Sequence, residues 1–281
     1  MKGKLIISDL DGTLLNNQHK VSEQNQRWIK KFISEGGLFT FATGRMEETT
    51  FQFIEQLNIT LPIISYNGAR LFCPIQNKIL YEDTMLVLPE IWKMILESPH
   101  EYGLVIYKDN QPFTLNKNSI IENFEQKEKI NCKLGSLESF IDSPISKILL
   151  MVEKESIYGK DANLLELEKN ILENSSDFTT VFSESNYLEI LPVGTSKGRG
   201  VNRLLHHLDK ESLYAIGIGD NLNDISLLKN VNLGIAVKNA QQELKQIANK
   251  VLERTNEEDA VAYVIETLID NRYKQSKTIG I

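Results

Sequence analysis

The chain has 281 residues, a formal net charge of −7 and two cysteines. This length is sufficient for one large domain or for a domain with an insert. The acidic balance argues against a nucleic-acid partner, two cysteines cannot form a disulfide framework, and no apolar run is long enough to span a bilayer. Because the amino-terminal apolar stretch is brief and interrupted by Asp9, we expect a first strand rather than a secretory signal, and a cytoplasmic protein.

The first 65 residues alternate between strand and helix patterns. Leu5–Leu10 is a short apolar run, typical of a strand that is buried on both faces. A helix follows, with Ser22 as its predicted N-cap and a pair of glycines at its end. A second strand at 38–42, another helix and a third strand at 63–65 come next. This order predicts a parallel sheet with right-handed crossovers.

The same alternation returns late in the chain, with predicted strands at 213–218 and 233–237 and a final helix from about Glu257. The middle, from 83 to 188, has a different pattern in which no strand ends in an Asp-rich turn. Its predicted helices and strands lie at 91–96, 104–107, 120–127, 148–152, 164–172, 179–182 and 187–190. We interpret 83–188 as an α/β domain inserted into a sheet domain made of 1–82 and 189–281.

Chemically active residues are concentrated after the predicted parallel strands. Ligands bind at the carboxyl ends of the strands in open parallel sheets. The residues that follow the strands are Asp9, Asp11, Thr43, Gly44, Arg45, Asn67, Gly68, Gly219, Asp220 and Asn221, with Asn223 and Asp224 close behind. We therefore expect carboxylates from separate strands to meet at one edge of the sheet.

Acidic groups packed in this way repel each other unless a cation lies between them. Carboxylate and carbonyl oxygens without His or Cys suit a hard cation, which favours Mg²⁺. Lys197 and the helix that follows it can supply positive charge to an anion. Each of these residues alone is more typical of a turn, a cap or a surface side chain, but their joint order and placement favour a functional site.

These residues resemble the haloacid dehalogenase-like superfamily and, within it, the Cof-type sugar-phosphate phosphatases. The resemblance is carried by short motifs that span the chain in the family's order. They are Asp9–Leu15, Phe41–Arg45, Ser65–Ala69, Thr195–Gly198, Gly219–Asp224, Asn239-Ala240 and Thr255–Asp259. The resemblance implies an α/β fold with a Rossmann-like parallel sheet core and an inserted α/β cap domain. Lys238 and Ala260 depart from it, since glycine is usual at both positions.

The resemblance also implies roles for the site residues. Asp9 would be the nucleophile and a metal ligand, and Asp11 the general acid and base that also offers its backbone carbonyl to the metal. Asp220 would be the remaining carboxylate ligand of Mg²⁺. The phosphate-binding residues would be Thr43, Gly44, Lys197 and Asn223, with Asn221 and Asp224 in support. We expect Asp11 to begin the reaction protonated, because the negative Asp9 beside it disfavours a second charge.

The function predicted from the sequence is hydrolysis of small phosphorylated metabolites, such as sugar phosphates, by a monomer or homodimer without a nucleic-acid or membrane partner. Two alternatives stay open. A phosphomutase on the same core would keep Asp9 and transfer the phosphate to a second hydroxyl. A non-catalytic binding protein that retained the fold would usually have lost a catalytic residue, yet Asp9, Asp11, Lys197 and Asp220 are all present.

Overall fold

The computed structural model describes residues 1–98, 101–153, 161–208 and 213–278. The chain forms two compact units, which we call the core unit (Met1–Tyr81 with Ser196–Ile281) and the inserted unit (Glu82–Thr195). Among the described residues, no helix combines the length and the apolar character that a membrane crossing requires.

The elements follow one another along the chain in three groups. The first is β1 (Lys4–Ser8), α1 (Glu23–Ser34), β2 (Leu38–Phe41), α2 (Phe51–Leu57), β3 (Ile63–Ser65), β4 (Arg70–Cys73) and β5 (Lys78–Glu82). The second is α3 (Pro89–Leu96), β6 (Gly103–Lys108), β7 (Gln111–Thr114), α4 (Ser119–Glu128), β8 (Lys133–Leu134), β9 (Lys147–Met151), α5 (Ala162–Asn174), β10 (Phe178–Glu184) and β11 (Tyr187–Pro192). The third is α6 (Lys197–His207), β12 (Tyr214–Gly219), α7 (Ile225–Lys229), β13 (Leu233–Ala236), α8 (Gln242–Ile247), β14 (Lys250–Val251) and α9 (Ala260–Thr278).

The core unit contains a five-stranded parallel sheet in the order β14-β13-β12-β1-β2. β1 lies inside this sheet, and its apolar residues Leu5, Ile6 and Ile7 are fully buried. A strand covered on both faces requires such a continuous apolar run, because both sets of alternating side chains face a core. The α/β fold class predicted from the sequence is confirmed.

The helix α1 shows how local sequence signals position an element. Ser22 is its N-cap, and the Ser22 side chain accepts a hydrogen bond from the backbone N–H of Asn25 at 3.0 Å. Ile29 and Phe32 point into the core and are fully buried. The predicted cap is thus confirmed, and loss of such a cap costs about 1 kcal/mol.

The third predicted strand is present, but it is not a full member of the parallel sheet. β3 forms only an isolated parallel bridge, Ala42 with Ile64, and pairs antiparallel with β4 in a sheet of β3, β4 and β5. One reason is Pro62, which has no N–H to donate to a ladder and whose carbonyl accepts instead from the Thr40 side chain at 2.8 Å. The backbone of Thr43 still donates to Ile64 at 2.9 Å, so β3 stays aligned with the end of β2.

The inserted unit has its own six-stranded sheet, in the order β10-β11-β9-β6-β7-β8, and its own buried cluster that includes Ile106, Ile148 and Leu188. Every helix and strand predicted between 91 and 190 corresponds to an element of this unit. The structure returns to the core unit at Thr195–Ser196, whereas the sequence placed this boundary after Leu188. The later boundary follows from β11, which continues to Pro192 and pairs with both β9 and β10.

Candidate active site

The carboxyl ends of β1, β2 and β12 lie level with one another. Ser8 is paired with Phe41 on one side and with Ile218 on the other. Asp9 continues this register, since its backbone N–H donates to the carbonyl of Ile218 at 2.8 Å. Thr43 therefore leaves the sheet beside Asp9 on one side and Asp220 leaves it on the other.

Three carboxylates form a tight cluster at this edge. Asp9, Asp220 and Asp224 each offer an oxygen, and these oxygens all lie within 4.8 Å of one another. Burial, together with the charge of Asp224, raises the pKa of Asp220 to about 7. Burial also raises the pKa of Asp9 well above its ordinary value, against the opposing effect of Lys197. A divalent cation among these oxygens would favour the ionised forms, so the cluster fits the hard cation expected from the sequence.

Lys197 is the buried counter-charge of this cluster. Its Nζ donates to Asp9 Oδ1 at 2.5 Å and to Asp224 Oδ1 at 2.6 Å, and its side chain is 1% exposed. Burial alone would lower the pKa of Lys197, but the charges of Asp224 and Asp9 outweigh it and raise the pKa above the ordinary lysine value. Lys197 is therefore ionised and fixes one oxygen of Asp9.

Asp224 uses both of its oxygens within the protein. While Oδ1 accepts from Lys197, Oδ2 accepts from the backbone N–H groups of Asp220 (2.9 Å) and Asn221 (3.0 Å). Asn221 in turn caps the short 3₁₀ helix Leu222–Asp224. Asp224 thus orients Lys197 and the backbone that carries Asp220. These contacts suit a supporting role for Asp224, as predicted, better than the role of a direct metal ligand.

Asp11 has an ionic environment that the sequence did not predict. Arg45 donates to it through two nitrogens, Nε to Oδ2 at 2.7 Å and a terminal nitrogen to Oδ1 at 2.8 Å, and His19 lies 3.2 Å from Oδ1. Burial alone would raise the pKa of Asp11, but the hydrogen bonds from Arg45 and His19 outweigh it and hold the pKa well below its ordinary range. In this arrangement Asp11 is ionised, contrary to the expectation that it starts protonated.

Thr43 is buried, and its hydroxyl accepts from the backbone N–H of Arg45 at 3.1 Å. The hydroxyl proton is thereby directed away from that contact and can be donated to an anion. Gly44 lies between these two residues, on the bend that leaves the strand end. Thr43 and Gly44 therefore lie at the end of β2, and their phosphate-binding role stays a prediction.

Asn223 faces Asn67, and its Nδ2 donates to Asn67 Oδ1 at 3.0 Å. Its own Oδ1 is buried without a hydrogen-bond partner in the described part of the chain. This orientation presents an acceptor, whereas a phosphate oxygen requires a donor. Phosphate binding by Asn223 would therefore use the second N–H of Nδ2, or an exchange of nitrogen and oxygen in the amide, which leaves its shape unchanged.

The Asp220 side chain is surrounded by Thr13 and Gly12, and Asn221 follows it in the chain. The hydroxyl of Thr13 donates to Asp220 Oδ1 at 2.7 Å. Gly12 has a φ of +79°, and a Cβ built on it would lie 2.4 Å from Asp220 Oδ2. Sequence reasoning included Thr13 in a motif without giving it a contact, and it assigned no role to Arg45 or His19. Arg45 is the last residue of the motif Phe41–Arg45, and His19 lies in the same loop as Asp11, but neither position indicates a contact with the Asp11 carboxylate.

We expect Gly12→Ala to impair metal binding more than folding. The new methyl group would displace the Asp220 carboxylate, and the left-handed backbone would cost about 1–2 kcal/mol. Thermal unfolding and Mg²⁺ titration of the purified variant measure the two effects separately. Gly3→Ala is the matched control, since Gly3 also has a left-handed φ (+77°) but an open surrounding. Equal Mg²⁺ affinity in the two variants would contradict the prediction.

Residues 6–265 match the family model described as haloacid dehalogenase-like hydrolase. The chain belongs to this family. Its members generally use Mg²⁺, and the acidic cluster of this haloacid dehalogenase-like hydrolase could hold such an ion.

Related proteins agree with this assignment. The chain is 26% identical over 265 residues to the 5-amino-6-(5-phospho-D-ribitylamino)uracil phosphatase YitU of Bacillus subtilis, covering 93% of this chain and 96% of the relative. A haloacid dehalogenase-like hydrolase from Bacteroides thetaiotaomicron has a similar structure, with a TM-score of 0.80, 26% identity and coverage of 95% of this chain and 100% of the other. The subclass IIB sugar phosphatase BT4131 shares the fold at 18% identity, with a TM-score of 0.78 and coverage of 94% and 98%.

The family resemblance predicted from the motifs is confirmed, and so is the enzyme class, a phosphoric monoester hydrolase. The two departures from the family pattern are accommodated without a left-handed backbone. Lys238 is exposed and its N–H donates to the carbonyl of Arg254 at 2.9 Å. Ala260 is fully buried at the start of α9, directly after Asp259, which itself has a φ of +58°.

Proposed function

We propose that this hydrolase acts in the cytoplasm and releases phosphate from small phosphorylated metabolites with Mg²⁺, through an aspartyl-phosphate on Asp9. The observation that carries the proposal is the buried ion pair of Asp9 with Lys197 at the end of β1, with the half-buried carboxylate of Asp220 beside it. A carboxylate held against a lysine ammonium, with a second carboxylate beside it, provides a nucleophile, an anion-binding charge and a metal ligand in one place.

Asp9 is the nucleophile in this proposal. Lys197 binds Asp9 Oδ1, so the other carboxylate oxygen is the one that attacks phosphorus in line with the leaving oxygen. The P–O bond to the leaving alcohol breaks as the bond from Asp9 to phosphorus forms. Water then attacks the same phosphorus and returns Asp9 to a carboxylate, with inorganic phosphate as the product.

Asp11 exchanges protons in both steps. It protonates the leaving oxygen in the first step and removes a proton from the attacking water in the second. Because Arg45 and His19 stabilise its ionised form, Asp11 must leave Arg45 and take up a proton from water before it can protonate the leaving oxygen. The proton that it removes from the attacking water in the second step restores this acid form. The ion pair with Arg45 is thus a resting position, while the acid–base position faces the ester oxygen.

The carboxylates of Asp9 and Asp220 and the backbone carbonyl of Asp11 would hold Mg²⁺, and Asp224 supports them from behind. When bound, the ion would offset the charge of the carboxylates and of the phosphoryl group. Thr43 donates its hydroxyl proton to a phosphoryl oxygen, and Lys197 neutralises another. In the first turn of α6, the N–H groups of Gly198 and Arg199 already donate to Ser226 and Ser196, so we assign the anion-binding role to the Lys197 ammonium rather than to these amides.

The inserted unit acts as a cap that sets the choice of substrate. None of the residues with a chemical role belongs to it, and it has its own sheet and its own buried core. Two chain crossings link it to the core unit, an arrangement that permits hinge motion. Remote binding energy from such a unit changes the ranking of substrates without changing the chemistry.

Purified protein should release phosphate from a panel of sugar and other small phosphate esters only when a divalent cation is present. Exhaustive chelation should reduce the rate to background and added Mg²⁺ should restore it, since the cluster has only oxygen ligands. Measuring isomerised ester beside free phosphate tests the mutase alternative in the same assay. Full activity after chelation would contradict the metal requirement. Formation of the isomerised ester without free phosphate would contradict hydrolysis and identify the protein as a mutase.

A further inference from the structure

The loop that follows Asp11 is held from outside by three asparagine side chains. Asn239 Nδ2 donates to the Gly12 carbonyl at 2.8 Å, Asn25 Nδ2 to the Leu14 carbonyl at 3.2 Å, and Asn256 Nδ2 to the Leu15 carbonyl at 3.0 Å. This loop connects β1 to α1 and contributes none of these donors itself. Two of these donors, Asn239 and Asn256, lie far away in the sequence, whereas Asn25 belongs to α1, the helix that follows the loop.

Asn239 differs from the other two in what surrounds it. Asn25 and Asn256 are buried, whereas Asn239 is exposed. Asn239 Oδ1 accepts from the backbone N–H of Asn256 at 3.0 Å, which orients the amide so that Nδ2 faces Gly12. An exposed side chain with two defined hydrogen bonds contributes little to the core but fixes the geometry of the groups it joins.

The turn that carries Asn239 also contacts the backbone of Asp220. The N–H of Gln241 donates to the Asp220 carbonyl at 2.8 Å. On the opposite side, Gly12 lies against the Asp220 carboxylate so closely that it has no room for a Cβ. One turn thus binds two loops: the one that carries Asp11 and Gly12, and the one that carries Asp220.

We infer that Asn239 is a positioning residue for the proposed metal site. Its amide fixes the Gly12 carbonyl and thereby sets the distance between the loop of Asp11 and the carboxylate of Asp220. This inference rests on the proposed function, because it assigns Asp220 and the Asp11 carbonyl to the same cation. Outer partners that orient metal ligands typically contribute about 10–100-fold to metal affinity.

The test is Mg²⁺ titration by calorimetry without substrate, on the full chain carrying Asn239→Ala or Asn239→Asp. Both changes remove the donor to Gly12, while Asn239→Asp keeps an acceptor for Asn256. We expect the Mg²⁺ dissociation constant to rise about tenfold in both variants, with little change in the unfolding temperature. Phosphate release should show the same increase in the Mg²⁺ concentration that gives half-maximal rate.

Asn249→Ala is the matched control. Asn249 is also an exposed asparagine, and its Oδ1 accepts from the backbone N–H of Gly234 at 2.7 Å, away from the cluster. Its Mg²⁺ affinity should equal that of the unchanged protein. Unchanged Mg²⁺ affinity in both Asn239 variants would overturn this inference but not the proposed function. A loss of Mg²⁺ affinity in Asn239→Ala but not in Asn239→Asp would also overturn it, because the contact with Asn256 rather than that with Gly12 would then be responsible. Failure of the unchanged protein to bind Mg²⁺ would overturn the proposed function as well.

Discussion

Replacing Asp9 with asparagine should give a folded protein that no longer releases phosphate. The amide is nearly the same size as the carboxylate, but it is not a nucleophile toward phosphorus. We expect turnover to fall about 10⁴-fold or more, the scale on which loss of a covalent nucleophile acts. The unfolding temperature should change little, because Lys197 keeps Asp224 as a buried partner.

The control for this prediction is Asp109→Asn, the same chemical change at an exposed carboxylate. That variant should keep full turnover. Rapid acid quenching followed by mass spectrometry should detect a phosphorylated Asp9 peptide in the unchanged protein and in the control, but not in Asp9→Asn. Substantial turnover by folded Asp9→Asn protein would exclude Asp9 as the nucleophile.

Lys197→Ala should reduce both activity and stability. It removes the charge that offsets Asp9 and the phosphoryl group, so kcat/KM should fall about 10³-fold. With metal chelated, it also leaves Asp9 and Asp224 as buried carboxylates without their common cation. Removing one partner of such a buried group costs about 3–5 kcal/mol. Denaturant unfolding at neutral pH with a chelator measures this loss, and added Mg²⁺ should recover part of it.

A second buried ion pair separates the effect on stability from the effect on chemistry. Lys147 Nζ lies 3.3 Å from Glu189 Oε2 in the inserted unit, and both side chains are 4% exposed. Lys147→Ala should lose comparable stability yet keep turnover of a small generic ester, such as p-nitrophenyl phosphate, within a few fold. If both lysine variants lost activity only in proportion to the unfolded fraction, Lys197 would have a structural role alone.

Elements with strong local signals could be predicted from the sequence. The cap at Ser22, the apolar run of β1 and the alternation of strands and helices each depend on residues close together in the chain. β3 was placed at the correct residues, but its parallel pairing with the end of β2 is limited to one bridge and its main partner is the antiparallel β4. Its partner is decided by the backbone around Pro62, and the two-residue strands β8 and β14 are too short to have a pattern of their own.

The site could be predicted as a set of residues but not as a charge network. Strand-end position indicated Asp9, Thr43 and Asp220, and the structure brings these three together. The ion pair of Asp11 with Arg45 depends on how two loops approach each other, which no spacing in the sequence records. The protonation expected for Asp11 was therefore wrong for this arrangement, because it considered the charge of Asp9 and not that of the guanidinium.

The strand order of the core sheet has a consequence for folding during synthesis. β1 lies between β2 and β12, and β12 follows the whole inserted unit in the sequence. One edge of β1 therefore stays unpaired until more than two hundred residues have been made. By contrast, the six strands of the sheet in the inserted unit, β6 to β11, follow one another directly in the sequence. The insert can complete its own sheet first, and the nascent amino-terminal half is the part that needs protection from edge-to-edge association on the ribosome.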